Sequence, residues 1–199
     1  MPLMPAAESR LRALSERCLN RAAESLSVLV GSPLRLRVAG IDSMPPEALP
    51  ELAGAQNGRE LVAIQFEITG EETGFLLFVF PVSTVHRLLH RLLPGPPVSG
   101  ALSPLEHSAV QEMGNILASA FLSELGDLIG RRILPSPPRV QFEKTAELIR
   151  ELTRNLQEVG SEIVVVQADF EDPSDHIEGR FFVIPEMASV ERLTRSAER

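Results

Sequence analysis

Phe78-Val79-Phe80-Pro81 and Phe182-Val183-Ile184-Pro185 are two copies of one phrase, an apolar strand closed by a proline that cannot extend a ladder. Working outward from the first copy, Glu71-Glu72 turn into it from a strand whose Val62, Ile64, Phe66 and Ile68 share one face. Further upstream, Leu34, Leu36 and Val38 alternate with Arg35 and Arg37, and a Pro-rich stretch through Pro45, Pro46 and Pro50 follows. Ahead of these, Leu11, Leu14, Cys18, Ala22, Leu26 and Leu29 recur at steps of three and four, an amphipathic helix that Gly31 ends. After Pro81, Val85, Leu88, Leu89 and Leu92 mark a short helix. The same order leads to the second copy: a long helix from Pro104 to Gly130, extended Ile133-Leu134 and Val140 to Phe142, a helix over Thr145 to Val159, then strands Ile163–Phe170 and Gly179–Ile184. Val190 and Leu193 sit on a last short helix. The pattern predicts one duplicated domain, with repeats at about 9–93 and 103–197 joined by a Pro/Gly-rich linker, 94–102. Its fold class is α/β of the α+β type, a mainly antiparallel sheet covered by helices.

Of the 199 residues, 44% are hydrophobic and 23% charged, enough for a core without disulfide or metal staples. The net charge of −8 repels phosphate backbones and anionic lipid, which argues against nucleic acid and membrane surfaces as partners. Cys18 is the only cysteine, so no internal disulfide forms and no zinc-type spacing exists, as suits a reducing cytoplasm. Met1-Pro2-Leu3-Met4-Pro5 lacks the basic start and apolar stretch of a signal peptide. The longest apolar run, Phe75 to Val82, is far short of the roughly 20 residues that span a bilayer.

The second long helix opens on Ser103-Pro104-Leu105-Glu106: an N-cap serine, proline at the first helical position and a glutamate placed for a capping box. Val110, Met113, Leu117, Ala120 and Phe121 form its core stripe, which turns Ser108, Glu112, Asn115 and Ser119 to the opposite side. Glu112 and Asn115 then stand side by side in solvent. Between them Gly114 costs a helix about 0.5–1 kcal/mol relative to alanine, so close approach of another backbone or packing on the sheet should explain it. Taken alone, such a pair reads as a solvated helix face.

The longer string Ser108-Ala109-Val110-Gln111-Glu112-Met113-Gly114-Asn115-Ile116-Leu117, with Gly130 and Pro135-Ser136-Pro137-Pro138 after it, resembles the CheC family of chemotaxis phosphatases. CheX, FliY and the middle domain of the flagellar switch protein FliM are relatives in that family. Ala22-Ala23-Glu24-Ser25-Leu26-Ser27 and Gly31 are similar to the family's first copy, so the resemblance covers nearly the whole chain, which stops where a free-standing CheC would stop. It implies a pseudo-twofold fold, a continuous sheet with two long helices, each able to carry Glu and Asn two residues apart.

The first helix departs from that pattern. Asn115 precedes Gly130 by 15 residues (130 − 115), and the matching place before Gly31 (31 − 15) holds Glu16. Ala13 then falls where the family glutamate belongs, and Asn20, a turn beyond Glu16, shares its face. One working site is expected, on the second helix.

The substrate that the resemblance implies is the aspartyl phosphate of a response regulator such as phospho-CheY. The regulator would hold Mg²⁺ and a lysine around the phosphoryl group, so no cofactor, metal or nucleophile comes from this chain. Asn115 would hold a water in line with the phosphorus, and Glu112 would pair with the regulator's lysine. A CheD-type deamidase is a further partner found in the family. The rival expectation is a non-enzymatic relative that binds a phosphorylated regulator or the flagellar switch.

Other residues read more plainly. His86 and His90 have metal-ligand spacing but no third ligand, and with Arg87 and Arg91 they suit a solvated helix face. His107 is expected exposed, Cys18 a small core residue, and Arg131-Arg132 a complement to the helix C-terminus. Ser108 and Ser119 are assigned no chemistry, and no P-loop, dinucleotide fingerprint or Ser/His/Asp set is visible.

Overall fold

A computed structural model describes residues 3–54, 60–93, 102–142, 145–172 and 177–195. The first half carries α1 (Pro5–Val30), β1 (Arg35–Met44), a 3-10 turn (Pro46–Ala48) running into α2 (Leu49–Leu52), β2 (Leu61–Gly70), β3 (Gly74–Pro81) and α3 (Val82–Leu92). The second carries α4 (Pro104–Ile129), β4 (Ile133–Pro135), β5 (Arg139–Gln141), α5 (Thr145–Val159), β6 (Ile163–Asp172), β7 (Ile177–Pro185) and α6 (Met187–Arg195). All seven strands form one sheet, β1-β6-β7-β3-β2-β4 with β5 also on β2, and every pairing is antiparallel. Residues 94–101 of the expected linker lie outside the described residues.

The α+β class and the antiparallel sheet agree with the sequence reading. β1 is longer than its alternating start suggested, because a register shift between Val38 and Gly40 returns Ile41 to the buried side and carries the strand to Met44. The outermost strands cross over. β1 pairs with β6, and β4 and β5 pair with β2, so strands from the two halves of the sequence interleave.

Each face of the sheet has its own core. On one side α1, α3, α4 and α6 pack over Val62, Ile64, Phe66, Phe78, Phe80 and Phe181. On the other α2 and α5 cover Ala63, Leu77, Val165 and Phe182. Both faces being covered, β3 is apolar along its length and β7 over Phe181–Ile184, which removes the polar alternation that fixes phase in a sequence. The repeated phrase is accordingly out of phase: Phe78 and Phe80 face the long helices, whereas Phe182 and Ile184 face α5. Phe78 lies opposite Phe181, with the two rings stacked at 4.3 Å.

α1 and α4 run antiparallel beside each other. Arg91 of α3 hydrogen-bonds Ser32 just past the C-terminus of α1, and the charge of His86 on α3 reaches Glu106 in the first turn of α4. At the other end, α6 meets Leu11 and Leu14 of α1, and its Arg192 shares Glu72 with Arg131, which follows α4. Both long helices end on a left-handed glycine, Gly31 with φ 69° and Gly130 with φ 65°, a conformation that costs a residue with Cβ more than glycine.

Candidate active site

α4 is fixed at its start by the expected capping box: Glu106 N–H donates to Ser103 Oγ at 3.4 Å, and Ser103 N–H donates to the Glu106 carboxylate at 2.6 Å. These bonds hold the Glu106 carboxyl below its ordinary range, with His86 and His107 adding to the effect. The cap contributes fully above the ordinary carboxylate range and is lost as pH falls through the lowered value. Behind the helix, Val110, Met113, Leu117 and Phe121 are buried as the stripe required, with Ala120 half-buried.

Ser108, Glu112 and Ser119 are exposed on the outer face, and Asn115 is half-buried beside Glu112. The structure brings Glu112 and Asn115 together on one accessible stripe, and among the described residues no hydrogen bond or ion pair ties down either side chain. A carboxylate and an amide left free one turn apart, on a helix held rigid from behind, can grip a cation and a water at the same time. Ser108 differs from them in bonding its own helix, its Oγ donating to the Pro104 carbonyl at 3.0 Å. Gly114 lies against sheet side chains, Ile64 and Phe66, which settles the choice between backbone approach and sheet packing.

On α1, Ala13, Glu16 and Asn20 are all exposed. The neighbouring Arg17 reaches across the helix pair to Glu124 at 3.1 Å. Glu16 and Asn20 thus share a face, with no carboxylate at position 13 to complete the arrangement seen on α4.

Three expectations change. Arg131 caps α4 through its backbone N–H, which donates to the Gly126 carbonyl at 3.0 Å, but its side chain pairs with Glu72. Arg91 is not on a solvated face: its side chain pairs with the buried Asp172 at 2.9 Å. Sequence reasoning missed both carboxylates, because Glu72 sits in an acidic turn and Asp172 at a strand end, positions that look exposed. Only three-dimensional proximity supplies their arginine partners. His86 is half-buried rather than solvated, while His90 and His107 are exposed, the latter with its ring 4.2 Å from that of Phe142. Among the described residues no cluster of three or more His, Cys, Asp or Glu is arranged to hold a metal.

Cys18 is fully buried between the long helices and the sheet, and burial first, then the charge of Glu124, pushes its thiol up to about 12. A thiolate is the reactive species, so Cys18 should resist an aromatic disulfide reagent in the native protein at neutral pH and react promptly once the chain is unfolded by denaturant. Rapid labelling of the native protein would contradict the packing described.

A profile of the CheC-like family matches residues 105–141, the segment that holds Glu112 and Asn115. The chain is 28% identical over 138 residues to the CheY-P phosphatase CheC of Bacillus subtilis, a match taking in 67% of this chain and 66% of that one. It is 24% identical over 177 residues to a CheC1 protein of Halobacterium salinarum, covering 87% of each. Its fold resembles the crystal structure of Thermotoga maritima FliY with a TM-score of 0.75 at 20% identity, over 97% of this chain and 96% of the other.

Proposed function

We propose that this chain, which belongs to the CheC-like family, is a phosphatase that accelerates hydrolysis of the aspartyl phosphate of a CheY-like response regulator in chemotaxis signalling. The observation that carries the reading is the free Glu112/Asn115 stripe on a helix whose segment matches the family profile.

The chemistry follows from what each side chain offers. The Asn115 amide donates and accepts hydrogen bonds at once, so it holds a water in line with the phosphorus without taking its proton. Glu112, one turn earlier, meets the lysine of the regulator's active site and sets the docking geometry. The regulator would hold the Mg²⁺ that neutralises the phosphoryl oxygens, so this chain would supply position and not a metal or a nucleophile. Placing a water in this way lowers a barrier by several kcal/mol. A single working pair lies on α4, since α1 has Ala13 and Glu16 in the matching places.

The cytoplasm is the compartment this reading requires. Among the described residues no helix is long and apolar enough to cross a membrane. A CheD-type deamidase as a second partner rests on the family resemblance alone. The direct test is the decay of aspartyl phosphate on a purified CheY-like regulator with and without this protein. Faster decay at catalytic amounts of the protein supports the assignment; unchanged decay with measurable binding would make it a binding module.

A further inference from the structure

We propose that Gly114 is a positioning residue, whose missing side chain seats α4 against the sheet and so sets the height at which Asn115 and Glu112 meet the regulator; this rests on the phosphatase reading above. A Cβ on Gly114 would lie 2.9 Å from Ile64 Cγ2, 3.3 Å from Ile64 Cδ1 and 3.3 Å from Phe66 Cζ. Both neighbours have little room to give way. Ile64 and Phe66 are fully buried on β2, which is bonded to β3 on one side and to β4 and β5 on the other. The Phe66 ring is further held edge-on to Phe78 at 6.1 Å. A methyl group at 114 must therefore lift the helix, by several tenths of an ångström up to about 1 Å if ordinary carbon contacts are to be restored. Asn115 is the next residue and Glu112 is two before, so both would move with it.

The other long helix supplies the comparison. The offset between the capping glycines, 130 − 31, places Ser15 of α1 where α4 has Gly114. Ser15 is buried, yet it is not seated as Gly114 is: a cavity of about 30 Å³ lies there, lined by Ser15 and Cys18 of α1, Phe121 and Leu125 of α4, and Val166 and Val183 of the sheet. The helix without the glycine seat is also the helix with Ala13 and Glu16 in place of the pair. Glycine inside a helix is unfavourable in itself, so its presence beside Asn115 fits a demand for height and not for stability.

The test is steady-state dephosphorylation of a CheY-like regulator by the full chain and three variants. Gly114→Ala should lower kcat about 10- to 100-fold, the loss associated with a misplacement near 1 Å, while KM stays within roughly threefold because the outer face keeps its chemistry. Gly126→Ala is the structural control. Its Cβ would meet the Arg131 carbonyl oxygen at 2.7 Å, about three turns beyond Asn115, so it should lower Tm and leave kcat unchanged. Adding Ile64→Ala to Gly114→Ala removes the closest contact, the two Ile64 carbons, leaves only the 3.3 Å approach to Phe66 Cζ, and should restore most of kcat. Full activity of Gly114→Ala beside an active wild type would overturn this inference and leave the phosphatase intact. A silent wild type would overturn both. If Gly114→Ala does not fold, the double variant decides: active supports the seat, folded but slow refutes it.

Discussion

Asn115→Ala should abolish the acceleration of aspartyl-phosphate decay, a loss on the order of 100-fold, while regulator still binds. The side chain is half-buried on an exposed stripe and carries no structural hydrogen bond among the described residues, so its removal leaves the fold and the melting temperature essentially where they were. What disappears is the amide beside Glu112 that can accept from and donate to the same water. Glu112→Ala should behave differently. Its side chain is exposed and acts through a charge on the partner, so both docking and turnover weaken, and the wild-type protein should lose affinity as salt is raised. Measured with a stable phosphoryl mimic for binding and with radiolabelled regulator for decay, the two variants separate water placement from docking. An Asn115→Ala protein with the full rate would remove Asn115 from the chemistry.

The candidate site was legible because its signals are local. Ser103, Pro104 and Glu106 set the phase of α4, and the apolar stripe from Val110 to Phe121 then dictates that Glu112 and Asn115 face outward. Helical periodicity carries such information over several turns without help from distant residues. The strands and their antiparallel character were legible for a similar reason, from alternation in β1 and β2. Three things were not. The order β1-β6-β7-β3-β2-β4 depends on pairings between residues more than a hundred positions apart, such as Leu36 with Phe170. The facing of the shared Phe-Val phrase in β3 and β7 was hidden because burial on both sides selects apolar residues throughout it, which leaves it silent about phase. The Glu72 and Asp172 ion pairs draw on arginines from α3, α6 and the end of α4, and no spacing rule in the chain joins them.

Phe182→Ala should destabilise the whole protein by about 3–5 kcal/mol, the range for deleting a fully buried aromatic side chain from a core. For a chain of this size that lowers Tm by roughly 6–20 °C. The residue belongs to the second half of the sequence, but its core also contains Leu49, Leu61, Ala63 and Leu77 from the first, and its strand pairs with β3 along the centre of the sheet. A cavity there is therefore felt by both halves at once. Circular dichroism and Cys18 labelling should report one coincident transition, moved as a unit, because Cys18 is buried on the opposite face of the same sheet. Phosphatase activity provides the converse check. Phe182 faces α5, away from α4, so below its melting temperature the variant should turn over phosphorylated regulator at the wild-type rate. Two separated transitions, with the thiol exposed in only one of them, would show that the halves fold independently despite their interleaved strands. Lost activity in fully folded Phe182→Ala would show instead that the α5 face of the sheet reaches the site, which the packing of Ile64 and Phe66 beneath Gly114 assigns to the other face alone.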